Sequence, residues 1–131
     1  GIHGTGSLTG TPVISALSRS ISAHSWTEIG SHGAVCDYVF LGPVFNSISK
    51  PGYHSKFSLE ELRTNLLEFK RTQANPHIIA LGGVNSANIV QVRETGFDGA
   101  AVLGAVWRNN NATPVENFCK IKEAACRTPV F

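Results

Sequence analysis

The chain contains no methionine, only three cysteines, and charged residues at just 15% of its 131 positions. The cysteines do not stand at the spacing of a metal-binding motif, so we expect free thiols in a reducing compartment, the cytoplasm. No apolar run approaches the roughly 20 residues that cross a bilayer, which excludes a membrane-spanning helix. The first residues carry neither an initiator methionine nor a signal pattern, which predicts the interior of a longer chain.

Charges of the two signs nearly balance, with a formal net charge of +2. They are scattered along the chain rather than gathered into a basic stretch, which argues against nucleic acid or an anionic membrane as a partner. Hydrophobic residues make up 42% of the chain, and no low-complexity tract interrupts it. This composition predicts one globular unit over residues 1–131.

A short apolar run followed by a capped helix recurs four times. The capping-box spacings Ser25–Glu28, Ser58–Glu61 and Thr113–Glu116 predict three of the helix starts. The remaining helix is expected to open near Asn85 or Ser86 and to end at Gly96. The predicted strands are residues 19–23, 37–42, 77–81 and 98–103. The alternation predicts an α/β fold with a parallel sheet and right-handed crossovers.

Two helices carry apolar residues that the spacing assigns to the core. In the helix after Ser58 these are Leu59, Leu62, Leu66, Leu67 and Phe69. In the last helix they are Val115, Phe118, Cys119, Ala125 and Cys126.

The alternation leaves two architectures open, a doubly wound sheet or part of an eight-fold β/α (TIM) barrel. A complete barrel needs about 250 residues, whereas this chain offers four such units, preceded by residues 1–14, which show only the start of another. The length is therefore that of half a barrel.

In a parallel β/α sheet, ligands bind where strands end and loops begin. Ser22 and His24 follow the first predicted strand, where His24 is available for proton transfer or serves as a packed or capping residue. Cys36 precedes a strand and is given no catalytic role. The unusually long loop 42–57 places Ser47, Ser49 and Lys50 close together, and hydroxyls beside an ammonium suit a phosphate group, although turn-forming serines in a solvated loop explain them equally well.

Glycines follow the last two strands, as Gly82-Gly83 and as Gly104. Glycines at such positions let backbone amides approach an anion, although tight turns use them as well. Barrels often bind phosphate after strands seven and eight, which would make the four predicted strands numbers five to eight.

The predicted strands and the loops that follow them, taken in chain order, resemble the thiamine phosphate synthase and TenI family over residues 19–126. Gly1-Ile2-His3 is similar to the end of the family's fourth strand. The remaining residues that carry the resemblance are Ser22-Ala23-His24-Ser25 with Glu28, Asp37-Tyr38-Val39-Phe40-Leu41-Gly42-Pro43-Val44-Phe45 with Ser47-Ile48-Ser49-Lys50, Ala80-Leu81-Gly82-Gly83-Val84-Asn85, and Gly96-Phe97-Asp98-Gly99-Ala100-Ala101-Val102-Leu103.

The resemblance implies the C-terminal half of a barrel and a synthase activity. The family's synthase joins an aminopyrimidine methyl diphosphate to a thiazole phosphate and releases pyrophosphate. By resemblance, Ser47, Ser49 and Lys50 hold the diphosphate and the carboxylate-bearing substrate end, with Lys50 offsetting the charge of the leaving group. Ser22 lies near the pyrimidine. Magnesium assists, but the family's acidic ligands have no counterpart in this chain.

For the thiazole phosphate, the resemblance implies backbone amides from the two glycine segments, at Gly82-Gly83, Leu103 and Gly104. The family often has serine where Gly104 stands, so a hydroxyl is lost there while the backbone donor is kept.

Two other functions stay open at this point. A TenI-like thiazole tautomerase would use His24 as its proton-transfer group. A non-catalytic phosphate-binding fragment is the second. Half a barrel leaves sheet edges and apolar surface uncovered, so we expect either a homo-oligomer or a complementary half-barrel as partner.

Overall fold

The computed structural model describes residues 2–5, 17–46, 52, 54–72, 76–108 and 112–127, and within them strands alternate with helices. The strands are β1 (Ile2–Thr5), β2 (Arg19–Ala23), β3 (Tyr38–Leu41), β4 (His77–Leu81) and β5 (Gly99–Ala101). The helices are α1 (Trp26–His32), α2 (Leu59–Thr72), α3 (Ile89–Thr95), α4 (Gly104–Trp107) and α5 (Pro114–Cys126), with a 3-10 turn at Gly33–Val35. All four predicted strands are confirmed, two with tighter bounds.

The five strands form one parallel sheet in the order β1-β2-β3-β4-β5. A doubly wound sheet reverses its strand order at a switch point. Here every strand instead lies beside its neighbour in the chain, as barrel strands do. The topology therefore decides between the two architectures in favour of part of a barrel.

Within the ranges that the structure describes, helices cover one face of this sheet and leave the other uncovered. Alternate strand residues that are at most 1% exposed pack with helix side chains into one core: Ile21, Ala23, Val39, Leu41, Ile78 and Ala80. The other alternate residues define what we call the inner face, because a closed barrel would enclose it. The inner face carries His3, Ser20, Ser22, Tyr38, Phe40 and Ile79, of which Ser20 is buried, His3 is exposed and the rest are half-buried.

Two aspartates join neighbouring strands at the amino end of the sheet. Asp37 Oδ2 accepts a hydrogen bond from the Arg19 amide at 2.6 Å, and Asp98 Oδ2 accepts one from the Ile78 amide at 2.7 Å. Lys70 Nζ lies 2.6 Å from Asp98 Oδ1. Burial alone would raise the pKa of Asp98, but the hydrogen bonds from Lys70 and Ile78 outweigh it and lower that pKa.

Replacing Asp98 with Asn should lower the free energy of unfolding at neutral pH by about 2 kcal/mol, since charge-assisted hydrogen bonds are lost. Because the folded-state pKa of Asp98 lies below its unfolded value, its stabilisation is present above the unfolded pKa and disappears as the pH falls through the folded one. The difference between wild type and variant should therefore shrink below about pH 4. Urea unfolding between pH 2 and pH 7 measures both effects.

Glu68→Gln is the matched control, because the Glu68–Arg71 pair spans 3.5 Å with its side chains 65% and 79% exposed. Its effect should stay below about 1 kcal/mol. Equal losses from the two variants would contradict the assignment to Asp98.

Helix α5 packs through a different stripe from the one that the sequence predicted. Its buried residues are Asn117, Ile121 and Ala124, whereas Val115 and Phe118 are 71% and 51% exposed. The prediction was wrong because Asn117 anchors the helix: its Nδ2 donates to the Val106 carbonyl of α4 at 3.0 Å, which turns the neighbouring apolar stripe outward. The remaining members of the predicted stripe, Cys119, Ala125 and Cys126, are exposed, half-buried and exposed respectively.

Helix α2 follows its prediction more closely. Leu62 and Leu66 are buried, and Leu59 and Phe69 pack against the core. Leu67 was assigned wrongly: it is 59% exposed, because it stands beside the narrow buried stripe rather than on it. The Thr113–Glu116 capping box and the left-handed Gly96 at the end of α3 are confirmed.

All three cysteines are free thiols. Cys36 is buried, and burial raises the pKa of its thiol, which keeps it protonated and unreactive. Cys119 and Cys126 are exposed on α5.

Among the helices of the described ranges, none combines the length and apolarity needed to span a membrane.

Candidate functional site

The carboxyl ends of the strands carry most of the residues that the sequence predicted as a site. Residues 22–24 end β2 and lead into α1, and segments 42–46, 82–83 and 103–104 follow β3, β4 and β5, so the parallel strands direct all four to the same edge of the sheet. Ser47, Ser49 and Lys50 lie outside the described residues, so their predicted roles stay predictions.

His24 is held by two hydrogen bonds. Its amide donates to Glu28 Oε2 at 2.9 Å, and its Nδ1 lies 2.7 Å from the Gly42 carbonyl oxygen. A carbonyl oxygen can only accept, so Nδ1 carries the proton and Nε2 of the neutral ring is left as the acceptor. A ring oriented in this way can take up a proton at Nε2.

His24 borders a cavity of about 460 Å³. The other lining residues are Pro43, Gly52, His54, Ser55, Lys56 and Phe57. The cavity therefore combines an imidazole with a cationic side chain, which suits a small ligand bearing negative charge.

The capping box at α1 is confirmed in one half and shifted in the other. Ser25 Oγ accepts a hydrogen bond from the Glu28 amide at 3.2 Å, as predicted. The Glu28 carboxylate, however, bonds the amide of His24 rather than that of Ser25. The helix cap thus also fixes the backbone of His24, so the capping and the functional interpretations of this segment are compatible.

The Gly82-Gly83 turn packs directly against the loop that follows β3. The Val44 amide donates to the Leu81 carbonyl at 2.9 Å and the Phe45 amide to the Gly82 carbonyl at 3.1 Å. Gly83 has φ of +68°, and a Cβ atom there would meet the Asn46 carbonyl oxygen and lie 2.7 Å from Phe45 Cβ. Glycine is required because two loops approach each other at this point.

Two asparagines to which the sequence analysis gave no role in the site hold the Gly83 peptide. Asn88 Nδ2 and Asn85 Nδ2 donate to the Gly83 carbonyl at 3.0 Å and 3.3 Å, and Asn88 Oδ1 accepts from the Asn85 amide at 2.8 Å. These bonds delay the helix: α3 begins at Ile89 rather than near residue 85, and Asn88 makes no side-chain cap. The available signal was the presence of Asn85 and Asn88 within five residues after Gly82-Gly83, since Asn side chains stabilise turns.

Gly104 begins α4, whose first-turn amides at Gly104 and Ala105 have no acceptor within the helix. The Leu103 carbonyl accepts from Val106 and Trp107 at 3.1 Å each, and the Leu103 side chain is 68% exposed. Gly104 borders a cleft of about 390 Å³. The other lining residues are Asn85, Ser86, Ala105, Arg108, Asn117, Lys120 and Ile121.

This cleft lies between the loops after β4 and β5. Of the predicted phosphate-binding residues only Gly104 lines it, whereas Gly82, Gly83 and Leu103 do not, so the phosphate site stays a prediction. Arg108 and Lys120 give it two positive charges, and first-turn amides add donors. The arrangement can bind an anion.

Ser22 lies on the inner face, apart from His24. Its Oγ is 3.3 Å from His3 Nε2, and no hydrogen bond among the described residues joins it to the His24 ring. The chain turns into α1 after Ala23, and this turn directs the His24 ring to Gly42 instead.

The described carboxylates are not arranged for a metal ion. Within the described ranges, no three His, Cys, Asp or Glu side chains group closely enough to hold one. Asp37 and Asp98 stand at the amino end of the sheet, and Glu28 already binds the His24 amide. These residues do not fit the magnesium that the resemblance implies.

Comparison with known proteins assigns the family. The model of the family described as thiamine monophosphate synthase matches residues 15–106. Thiamine-phosphate synthase of Listeria welshimeri is 36% identical over 91 residues, which are 67% of this chain and 41% of that protein. The chain therefore spans well under half the length of this relative.

Solved structures agree. Thiamine phosphate pyrophosphorylase from Bacteroides thetaiotaomicron superimposes with a TM-score of 0.62 and 31% identity, covering 84% of this chain and 53% of that one. The Pyrococcus furiosus thiamine phosphate pyrophosphorylase, with a TM-score of 0.63 over 83% of this chain and 48% of that one, is 24% identical and shows the shared fold. The chain belongs to the thiamine monophosphate synthase family.

Proposed function

We propose that this chain supplies the phosphate-binding side of a thiamine-phosphate synthase site. The observation that carries the proposal is the cleft at the ends of β4 and β5. There Asn85 and Ser86, from the turn after Gly83, line one cleft together with Gly104 and Ala105 of α4 and with the cationic Arg108 and Lys120. Such a site suits the phosphate of a thiazole phosphate.

The proposed reaction joins the thiazole ring to the methylene carbon of an aminopyrimidine methyl diphosphate. The bond between that carbon and the diphosphate oxygen breaks, and pyrophosphate leaves with the electron pair. Lys50, with Ser47 and Ser49, would hold the diphosphate and the carboxylate-bearing end of the substrates, and Lys50 would offset the charge on the leaving pyrophosphate. Ser22, on the inner face, would lie against the pyrimidine.

Magnesium remains a prediction from the resemblance alone. When bound, it would neutralise charge on the diphosphate. The described carboxylates do not supply its ligands, so no step above depends on it.

One observation favours a second function, thiazole tautomerisation. The bond from His24 Nδ1 to Gly42 leaves Nε2 able to move a proton. The relatives that this chain matches are thiamine-phosphate synthases, which supports the synthase reaction instead.

We further propose a complementary half-barrel as partner, in a reducing compartment such as the cytoplasm. Four large apolar side chains of α4, α5 and the residue before α4 are 51–71% exposed: Leu103, Trp107, Val115 and Phe118. Leu103 comes two residues after β5, which pairs with β4 alone among the described strands. A further β/α unit would pair with β5 and cover these side chains, as in a closed barrel.

Two variants distinguish the functions. Lys50→Ala should slow condensation of the two substrates by about 100-fold, the scale of losing one electrostatic contact to a developing charge. His24→Gln should leave condensation within about two-fold but abolish proton exchange on the thiazole in a tautomerase. Both are measured on the chain with and without the amino-terminal half of the Listeria welshimeri relative.

Lys122→Ala, an exposed change on α5, is the control and should leave the condensation rate unchanged. An unaffected rate with Lys50→Ala would overturn the loop assignment. Persistent proton exchange with His24→Gln would make His24 structural.

A further inference from the structure

The His3 side chain links two serines on the inner face. Its Nδ1 lies 2.9 Å from Ser20 Oγ, and its Nε2 lies 3.3 Å from Ser22 Oγ. The parallel register explains the reach: His3 is paired with Ser20, and Ser22 is the next residue of β2 on the same face. One imidazole therefore bridges two successive inner-face hydroxyls.

Aromatic packing holds this ring in place. His3 and Phe40 meet edge to face, with ring centroids 5.5 Å apart and an interplanar angle of 68°. Tyr38 packs on Phe40 in the same manner, at 5.5 Å and 89°. With three contacts on one ring, His3 has little freedom to turn away from Ser22.

The bridge makes the two hydroxyls depend on each other. A neutral imidazole has one donor nitrogen and one acceptor nitrogen, so one serine must donate to His3 and the other must accept from it. Ser20 is 2% exposed, so water can hardly replace His3 as the hydrogen-bond partner of its hydroxyl. The bond at Ser20 thereby sets the direction of the hydrogen bond at Ser22, which is half-buried and open to a ligand.

We propose that His3 is a positioning residue that fixes the direction of the Ser22 hydroxyl toward a planar heteroaromatic ligand on the inner face. The choice of ligand, an aminopyrimidine, depends on the proposed function. In a Ser-His-carboxylate triad, the carboxylate stabilises the imidazolium that forms when the histidine takes the serine proton. In this bridge, Ser20 stands in the place of that carboxylate and offers only a neutral hydroxyl. The bridge therefore suits orientation of Ser22 and not removal of its proton. The rings of His3, Phe40 and Tyr38 provide a flat aromatic lining.

A double-mutant cycle tests the proposal. His3→Phe keeps a ring against Phe40 and removes both hydrogen bonds, whereas Ser22→Ala removes the oriented group. Each should lower kcat/KM for the aminopyrimidine diphosphate about five- to ten-fold, with KM for the thiazole phosphate unchanged. The double variant should lose no more than Ser22→Ala alone, because His3 acts through Ser22.

Two further variants complete the cycle. His3→Gln, which retains a donor and an acceptor, should recover part of the loss. Lys122→Ala, at an exposed position on α5, should have no effect. Losses that multiply in the double variant would overturn the proposal.

Ring-nitrogen NMR of His3 in this chain tests the bridge independently of any activity. We expect a single tautomer in the wild type and a changed tautomer population in Ser20→Ala. A ring that shows the free tautomer mixture and does not respond to Ser20→Ala or Ser22→Ala would overturn the proposal. The two proposals can fail separately. If the chain lacks condensation activity but His3 shows a single tautomer that depends on the serines, the synthase function is contradicted and the positioning of Ser22 by His3 still holds.

Discussion

Gly83→Ala should destabilise this protein by about 3 kcal/mol and weaken binding of the thiazole phosphate at the same time. The left-handed φ of +68° costs a residue with a side chain about 1–2 kcal/mol. The new methyl group would also meet Phe45 and the Asn46 carbonyl, and such overpacking adds about 1–3 kcal/mol. Because Asn85 and Asn88 bond the Gly83 carbonyl, the displaced turn would carry the cleft residues with it. Urea unfolding and titration with the thiazole phosphate measure the two effects.

Two other glycines separate the causes. Gly96 has φ of +104° with open space around its Cβ position, so Gly96→Ala should cost about 1–2 kcal/mol from conformation alone. Gly30, within α1, has neither constraint, and Gly30→Ala should stabilise the helix by about 0.5–1 kcal/mol. If Gly83→Ala cost no more than Gly96→Ala, the close approach of the two loops would be refuted.

Leu62→Ala should lower the free energy of unfolding by about 3 kcal/mol. Leu62 is 0% exposed and lies in the core cluster between α2 and the covered face of the sheet. Truncation removes transfer free energy and leaves a cavity that rigid neighbours fill only partly. Thermal and urea unfolding monitored by circular dichroism measure the loss.

Leu67→Ala provides the matched control in the same helix. Leu67 is 59% exposed, so its truncation should change the free energy of unfolding by no more than about 0.5 kcal/mol. If the two variants lost equal stability, α2 would not pack on the sheet through the Leu62 side. A larger loss from Leu67→Ala in a complex with the complementary half-barrel would place that residue at the proposed interface.

The strands and helix caps were predictable because they depend on neighbours in the chain. Continuous apolar runs such as Tyr38 to Leu41 predict strands wherever they occur. The Thr113–Glu116 box and the Gly96 terminus use backbone groups within one turn, so spacing alone identifies them. The Gly82-Gly83 segment was identified from a local pattern too, as glycines after a strand that serve either an anion site or a tight turn.

Features that depend on contacts between distant segments were not predictable. The buried stripe of α5 was missed because Asn117 is polar, and only its bond to Val106 explains why it faces inward. His3 and Ser22 are 19 positions apart in the sequence, and no periodicity connects them. The late start of α3 was missed for a different reason. The Asn side-chain bonds form a local turn, and the sequence favours this turn and an earlier helix start equally.

The sequence by itself determined the alternation of parallel strands and helices and the family resemblance, and it identified the loops in which we expect a phosphate site, because these follow from short-range patterns of polarity and backbone freedom. The tertiary structure decided the barrel-type strand order, the outward stripe of α5, and which side chains meet at the strand ends. Those outcomes depend on contacts between segments that are far apart in the chain. Packing and long-range hydrogen bonds determine which of their surfaces meet, after the local elements have formed.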